Sequence, residues 1–141
     1  MTLGSADRGA PSCLAGAAST LTPLVRAVEL GRCAGRVGFD WTAARDVRGK
    51  VLEELSELDA AVASGVSGAI LEELGDLLFA LANWGRHLGA HPETALAAAN
   101  EKFQRRFAWM EHAAGERAFD LQSLSAAAWE ALWRESKIAV G

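Results

Sequence analysis

The sequence predicts an all-α fold, a helical bundle, on the strength of three observations. Apolar residues recur at three- and four-residue steps along most of the chain, which is the period of an amphipathic helix. No segment of the sequence shows the strict alternation that is typical of a strand. The connections between the apolar stripes are short, and short connections favour antiparallel neighbouring helices. A chain of 141 residues is long enough to form one domain with a buried core.

The first helix is expected to begin at Pro23, because Thr22 is a suitable N-cap and proline is favoured at the first helical position. This helix should end near Val37. The next four residues, 39–42, form a connecting loop that carries two large aromatic side chains. Thr42, at the end of this loop, is expected to cap the second helix.

The second and third helices each have one apolar stripe, which predicts a buried face. The second helix should end at Ser64 and Gly65, and the third should run from about Ser67 to Leu88, where Gly89 stops it. The stripe of the second helix consists of Val47, Val51, Leu55, Leu58 and Val62. The stripe of the third consists of Ile70, Leu74, Leu77, Leu78 and Leu81.

Two further helices complete the predicted bundle. Pro92 opens the fourth helix, and the last helix starts near Ser123 or Ser125. The apolar stripe of the fourth helix consists of Leu96, Ala99, Phe103, Phe107 and Met110. The last helix carries Trp129, Leu132, Trp133 and Lys137.

Composition limits the classes of protein to which this chain can belong. Residues 1–20 are rich in glycine, alanine and serine and are expected to be a disordered tail, with the folded domain at 21–141. A net charge of -4 argues against binding to a nucleic acid polymer. No apolar run approaches the roughly 18 residues of a membrane span. The sequence has two cysteines, Cys13 in the predicted tail and Cys33, which argues against a disulfide framework and favours a reducing cytoplasm as the expected location.

The most informative pattern is an acidic motif that occurs on both the second and the third helix. Residues 53–57 read Glu-Glu-Leu-Ser-Glu, and residues 72–76 read Glu-Glu-Leu-Gly-Asp. Carboxylates three residues apart lie on one flank of a helix, beside its apolar stripe. If the stripes pack together, the flanks face each other and four carboxylates converge: Glu54, Glu57, Glu73 and Asp76.

Such a set of oxygen ligands suits a hard cation, Mg²⁺ or Mn²⁺ as its substitute. A single motif of this kind would be interpreted as a solvated acidic face, but two copies on adjacent helices favour a metal site. A di-iron site is disfavoured because it would need Glu-x-x-His pairs.

Cations and aromatic residues that could bind a polyphosphate are also present. Lys102 and Arg106 lie one turn apart on the fourth helix, and Lys137 follows Trp133 by one turn. Phe39, Trp41 and Trp133 could stack on a nucleobase, although ordinary surface charges and core aromatics are the alternative. The sequence has no glycine-rich phosphate loop of the Walker type.

Together these segments resemble the MazG family of nucleoside triphosphate pyrophosphohydrolases. The resemblance spans about Leu24 to Lys137, and the single domain is most similar to the catalytically competent C-terminal half of relatives with two tandem domains. The matching segments are residues 37–41, 50–57, 72–79, 86–89 and 99–107.

The resemblance implies an all-α fold of the MazG-like pyrophosphohydrolase type that forms a homodimer or a higher homo-oligomer. It implies Mg²⁺-dependent hydrolysis of nucleoside triphosphates to nucleoside monophosphate and pyrophosphate, which would cleanse the nucleotide pool. Metal ligands would be Glu54, Glu57, Glu73 and Asp76, and Glu53 or Glu54 would orient or deprotonate the attacking water. Substrate contacts are expected from Phe39, Trp41, Lys50, Glu53, Glu72, Asn83, Lys102, Arg106, Trp133 and Lys137.

Other functions remain open at this point. The same general chemistry serves a phosphoribosyl-ATP pyrophosphohydrolase and an all-α dUTPase. A non-catalytic helical dimer that binds nucleotides, or a plain helical assembly protein with solvated acidic clusters, would also fit the helical pattern. Metal-dependent release of pyrophosphate from nucleotides distinguishes an enzyme from the nucleotide-binding dimer and from the assembly protein.

Overall fold

The computed structural model describes residues 11–141, and that part of the chain contains helices and turns but no strand. The prediction of an all-α fold is therefore confirmed. A short 3₁₀ turn precedes the first helix and another precedes the last: Cys13–Gly16 and Leu121–Ser123. The α-helices are α1, Pro23–Arg36; α2, Ala44–Ser64; α3, Ser67–His87; α4, Pro92–Glu116; and α5, Ala126–Val140.

The helix starts agree with the predicted ones more closely than the caps do. Thr22 makes no side-chain cap hydrogen bond to α1. The prediction that Thr42 caps the second helix is wrong, because Ala43 is the N-cap and the Thr42 hydroxyl instead lies 3.4 Å from a carboxylate oxygen of Asp46. Ser125 does cap α5, since its hydroxyl oxygen accepts a hydrogen bond from the backbone N–H of Ala128 at 3.2 Å.

The chain divides into two compact units, Met1–Glu93 and Thr94–Gly141. In the first unit, the short connection at Gly65 and Val66 lets α2 and α3 fold back on each other as a helical hairpin. Helix α1 packs on α3, and the first 3₁₀ turn packs on α1. The acidic motifs of α2 and α3 therefore lie within one hairpin.

Small residues dominate the core of the first unit. The prediction of five buried residues on each of the α2 and α3 stripes is wrong for Leu55, Val62, Leu74, Leu78 and Leu81, all of which are exposed in the single chain. Within the described part of this unit, residues 11–93, α2 packs chiefly on α3, and α3 packs on α2 and α1, so no further helix covers the sides of the hairpin that carry these leucines. The buried apolar side chains of α1, α2 and α3 are Val28, Cys33, Val47, Val51, Ala61, Ala80 and Ala82.

The core of the second unit forms between α4 and α5 around Met110, Ala113 and Leu132. Part of the predicted α4 stripe is not buried: Leu96, Ala99 and Phe103 are exposed. Helix α5 has 15 residues and α4 has 25, so α5 can cover only part of the α4 stripe.

The described part of the predicted tail, residues 11–20, contains the 3₁₀ turn Cys13–Gly16 and one contact with α1. Ala17 is buried, and its carbonyl oxygen accepts a hydrogen bond from Arg26 Nε at 3.4 Å. Residues 1–10, which belong to the same predicted tail, lie outside the described residues. Within residues 11–141, no helix is both long enough and apolar enough to cross a membrane.

Candidate functional site

Glu54 is the central side chain of the candidate site. It lies on α2 between the buried residues Val51 and Ala61, and its side chain is only 7% exposed. Lys50, one turn earlier, places its Nζ atom 2.6 Å from Glu54 Oε1 and 3.2 Å from Glu53 Oε1. The other oxygen of Glu54, Oε2, is buried and has no hydrogen-bond partner among residues 11–141.

The α2–α3 hairpin brings two further carboxylates to Glu54. One oxygen from each of Glu54, Glu57 and Glu73 lies within 4.8 Å of the others. Glu57 follows Glu54 by three residues on α2, and Glu73 reaches them from α3. The structure thus brings together three of the four predicted ligand residues.

The pKa values of these groups depend on their neighbours in opposite ways. The ammonium group of Lys50 holds the pKa of Glu54 below its usual value. The pKa of Glu57 is raised, chiefly by its contact with the Glu54 carboxylate and by the negative charge of that group. The pKa of Glu73 is raised by partial burial and then by the negative charges of Asp76 and Glu54. One lysine therefore offsets only part of the negative charge gathered here.

This donor set fits a hard divalent cation. The ligand atoms are all carboxylate oxygens, which Mg²⁺, Mn²⁺ and Ca²⁺ prefer. A buried oxygen without a partner is costly unless a cation or a donor approaches it, and Glu54 Oε2 is such an atom. The group formed by Glu54, Glu57 and Glu73 can therefore hold a divalent metal ion.

The remaining acidic candidates lie at the margin of this group. Asp76 is exposed on α3, one turn after Glu73, and is not a member of the three-oxygen group. It is close enough for its charge to raise the pKa of Glu73. Glu53 is exposed and contacts Lys50, and Glu72 is exposed on α3.

The aromatic candidates of the α1–α2 loop border an apolar cavity of about 300 Å³. Phe39 is 79% exposed and Trp41 is 38% exposed. Asn83 also lines the cavity, but its side chain is buried and its Oδ1 atom accepts a hydrogen bond from Arg86. The other lining residues are Leu14, Leu30, Gly31, Ala34, Asp40, Phe79 and Arg86.

Apart from Lys50, the cationic candidates lie in the second unit. Arg106 is half-buried, with its guanidinium carbon 5.5 Å from the ring centroid of Trp133. This is a favourable distance for a cation–π interaction. Phe103 also contacts Trp133, with the ring centroids 5.7 Å apart. Lys102 on α4 and Lys137 on α5 are both exposed.

Reasoning from the sequence assigned no role to Asp40, Arg86 or Phe79, which also line the cavity. The spacing of Asn83 and Arg86, three residues apart on α3, was a local signal for their hydrogen bond. No comparable signal links Asp40 to Arg86, because 46 residues separate them.

Comparison with known proteins identifies a match between residues 45–110 and the MazG nucleotide pyrophosphohydrolase domain. A nucleoside triphosphate pyrophosphohydrolase of Escherichia coli strain K12 is 37% identical over 120 residues, which are 84% of this chain and 46% of that protein. The nucleoside triphosphate pyrophosphohydrolase/pyrophosphatase MazG of Thermotoga maritima is 36% identical over 121 residues, 83% of this chain and 46% of that protein. The uncharacterized protein YabN of Bacillus subtilis is 42% identical over 60 residues, 43% of this chain and 12% of that protein.

The chain thus spans a little under half the length of the Escherichia coli and Thermotoga maritima relatives, 46% in each case. The segment that matches the domain, residues 45–110, contains the three carboxylates of the candidate metal centre. It also contains Lys102 and Arg106, but neither the aromatic loop of residues 39–41 nor Trp133.

Proposed function

Because residues 45–110 place this chain in the MazG family, we propose that it hydrolyses nucleoside triphosphates to nucleoside monophosphate and pyrophosphate with the help of Mg²⁺. Mn²⁺ is the expected substitute. The observation that carries this proposal is the group of Glu54, Glu57 and Glu73, in which a buried carboxylate oxygen lacks a partner among residues 11–141.

The carboxylates of the helical hairpin would hold the metal ion. Glu54, Glu57 and Glu73 supply one oxygen each, and Asp76 is the proposed fourth ligand. When bound, a divalent ion polarises phosphoryl oxygens and lowers the pKa of a coordinated water molecule.

Other residues of the hairpin would act on the water and the substrate. Glu53 is exposed beside Lys50, so its carboxylate is free to orient or deprotonate a water molecule, a role for which Glu54 is the alternative. Lys50 can change its partner from Glu54 to a phosphate oxygen because its side chain is 34% exposed. Glu72, also exposed on α3, is a further proposed substrate contact.

Cations of the second unit are proposed to offset the charge of the departing pyrophosphate. Lys102 and Arg106 supply the positive charges, and Lys137 with Trp133 supplies further contacts. Arg106 Nε is buried and has no hydrogen-bond partner among residues 11–141, which supports a role for this side chain in binding an anion. Phe39, Trp41 and Asn83 are the proposed contacts to the nucleoside.

Exposed apolar side chains support the proposal of a homodimer or a higher homo-oligomer. Leu71 is 73% exposed and Leu78 is 52% exposed, both on α3. Apolar surface of this kind commonly marks a contact between proteins. The proposed location is the cytoplasm, where Cys13 and Cys33 would remain free thiols, as they are in the structure.

A panel of nucleotides tests the activity. The purified chain should release pyrophosphate from several ribo- and deoxyribonucleoside triphosphates with Mg²⁺ and should release none when the metal is chelated. Including dUTP and phosphoribosyl-ATP in the panel separates a general pyrophosphohydrolase from the two narrower enzymes. Tight nucleotide binding with no metal-dependent turnover of any member would overturn the proposal in favour of a binding protein.

A further inference from the structure

The carboxylate of Asp40 connects the loop between α1 and α2 to the end of α3. Arg86 donates to both oxygens of Asp40, from Nη1 to Oδ2 at 2.9 Å and from Nη2 to Oδ1 at 2.7 Å. His87 Nε2 lies 2.8 Å from the same Oδ1 atom. Arg86 is itself oriented by Asn83, whose Oδ1 atom accepts from Arg86 Nε at 2.9 Å. The contact with Arg86 holds the pKa of Asp40 well below its usual range.

Helix α1 leaves room for this network at two glycines. A Cβ atom at Gly31 would lie 2.9 Å from Asn83 Oδ1, and one at Gly35 would lie 2.9 Å from Asp40 Oδ2. Real Cβ atoms essentially never approach another heavy atom that closely. An alanine at either position would therefore displace a side chain whose hydrogen bonds are already made.

The same carboxylate fixes the backbone at the aromatic loop. The Trp41 N–H donates to Asp40 Oδ1 at 2.9 Å, so one oxygen atom contacts both Arg86 and the backbone of Trp41. Phe39 and Trp41 stand on either side of Asp40 and both line the apolar cavity. A single side chain, Asp40, therefore links Arg86 on α3 to the backbone of the segment that carries the two aromatic rings.

We propose that Arg86 and Asp40 are positioning residues, which hold Phe39 and Trp41 at the cavity for contact with the nucleoside part of the substrate. This inference rests on the proposed function. Neither residue is required to touch the reacting phosphates, and their role is exerted through the loop.

Residues that act only by positioning the loop should affect substrate affinity more than turnover when they are replaced. Arg86→Lys keeps the positive charge but loses the planar fork that binds both carboxylate oxygens, and Asp40→Asn keeps the size of the side chain but loses its charge. Each variant should raise KM about tenfold and leave kcat within about twofold of wild type. Arg32→Ala is the matched control, because Arg32 also forms an ion pair within the first unit, with Glu29, and neither residue lines the cavity.

A double-mutant cycle distinguishes positioning from direct contact. If Asp40→Ala and Arg86→Ala remove the same ion pair, the double variant should have a KM no higher than that of the worse single variant. If Arg86 binds the substrate by itself, the two effects multiply, and the proposal is overturned.

Hydrogen exchange tests, without any substrate, whether the contact between Arg86 and Asp40 stabilises the loop. The backbone amides of residues 38–42 should exchange at least several times faster in Arg86→Lys and Asp40→Asn than in wild type, while those of α2 keep their rates and circular dichroism keeps its helical signal. Wild-type exchange in both variants would overturn the proposal. Absence of turnover in the wild-type protein would instead contradict the proposed function, and the exchange rates would still decide whether the contact stabilises the loop.

Discussion

Lys50 and Glu54 form an ion pair across one turn of α2, with Nζ 2.6 Å from Oε1, and the carboxylate of this pair is buried while the ammonium group is partly exposed. The lysine neutralises one oxygen of Glu54 and leaves the other without a partner among residues 11–141. A carboxylate in this state is ready to accept a second cation.

Glu54→Gln should abolish metal binding and pyrophosphate release, because it removes the buried charge at the centre of the three-carboxylate group. Helical content should remain, and the melting temperature without metal should fall modestly, because the ion pair with Lys50 that holds the pKa of Glu54 below its usual value is lost. Asp76→Asn should also abolish turnover, if Asp76 is the fourth ligand. Asp59→Asn, an exposed site on α2, is the control. Activity near wild type in both test variants contradicts the assignment, and calorimetry with Mg²⁺ measures the binding.

Lys50→Ala should destabilise the metal-free protein by about 1–2 kcal/mol, because it leaves the buried Glu54 charge uncompensated. The loss is no larger because the lysine is partly exposed, so that solvent screens the pair. Added Mg²⁺ should recover most of the lost stability, since the ion replaces the ammonium group. Urea denaturation with and without Mg²⁺ checks both effects. If Mg²⁺ leaves the deficit of the variant unchanged, then Lys50 and the metal do not share this site.

Metal affinity should rise with pH from the ordinary carboxyl range upward. The nearby Glu54 carboxylate raises the pKa of Glu57, and partial burial raises the pKa of Glu73, so each group binds its proton more tightly than an ordinary glutamate. A raised pKa stabilises the folded, metal-free protein below pH 4.5, and this contribution is lost as the pH rises through the raised values. Metal binding releases the same protons. Titrations with Mn²⁺ from pH 5 to pH 7.5 should show the rise in affinity, which Glu57→Gln should reduce; a flat profile contradicts the prediction.

Arg106→Ala should cost about 2 kcal/mol or more of transition-state stabilisation with triphosphate substrates, the scale of a lost charge-assisted hydrogen bond. Metal binding by the protein without nucleotide should survive. Arg105→Ala, an exposed neighbour on the same helix, is the matched control. Steady-state kinetics measure the effect. If the double variant Lys102→Ala, Arg106→Ala retains wild-type kinetics, the phosphate site lies elsewhere.

The protein should be at least dimeric at micromolar concentration, because α3 exposes several leucines and α4 exposes Phe103. Light scattering should therefore give at least twice the chain mass of 14.9 kDa. Leu71→Asp tests whether the exposed face of α3 takes part, with Glu111→Gln as a control at an exposed polar position. A monomer mass together with full activity would rule the assembly out.

Helix boundaries were predictable from the sequence because local signals determine them. Pro23 and Pro92 open their helices where expected, and Gly65 follows the last residue of α2. The approach of Glu57 to Glu73 was also predictable, because it needs only two amphipathic helices joined by a short turn.

The burial of individual leucines was not predictable, because it depends on which neighbouring helix covers them. Leu74 and Leu78 have the spacing of core residues, yet Ala80 and Ala82 are the buried apolar residues of α3. The contact of Asp40 with Arg86 was equally hidden, because it joins residues 46 positions apart and leaves no periodic signal.

The two glycines of α1 restrict how this protein can be made more thermostable. Replacing glycine by alanine inside a helix commonly gains about 0.5–1 kcal/mol. At Gly31 and Gly35 that gain is closed off, because the added methyl group would collide with Asn83 or Asp40. At Gly49 on α2 an added methyl group would have no neighbouring heavy atom of residues 11–141 within 4 Å, so an engineer should begin there.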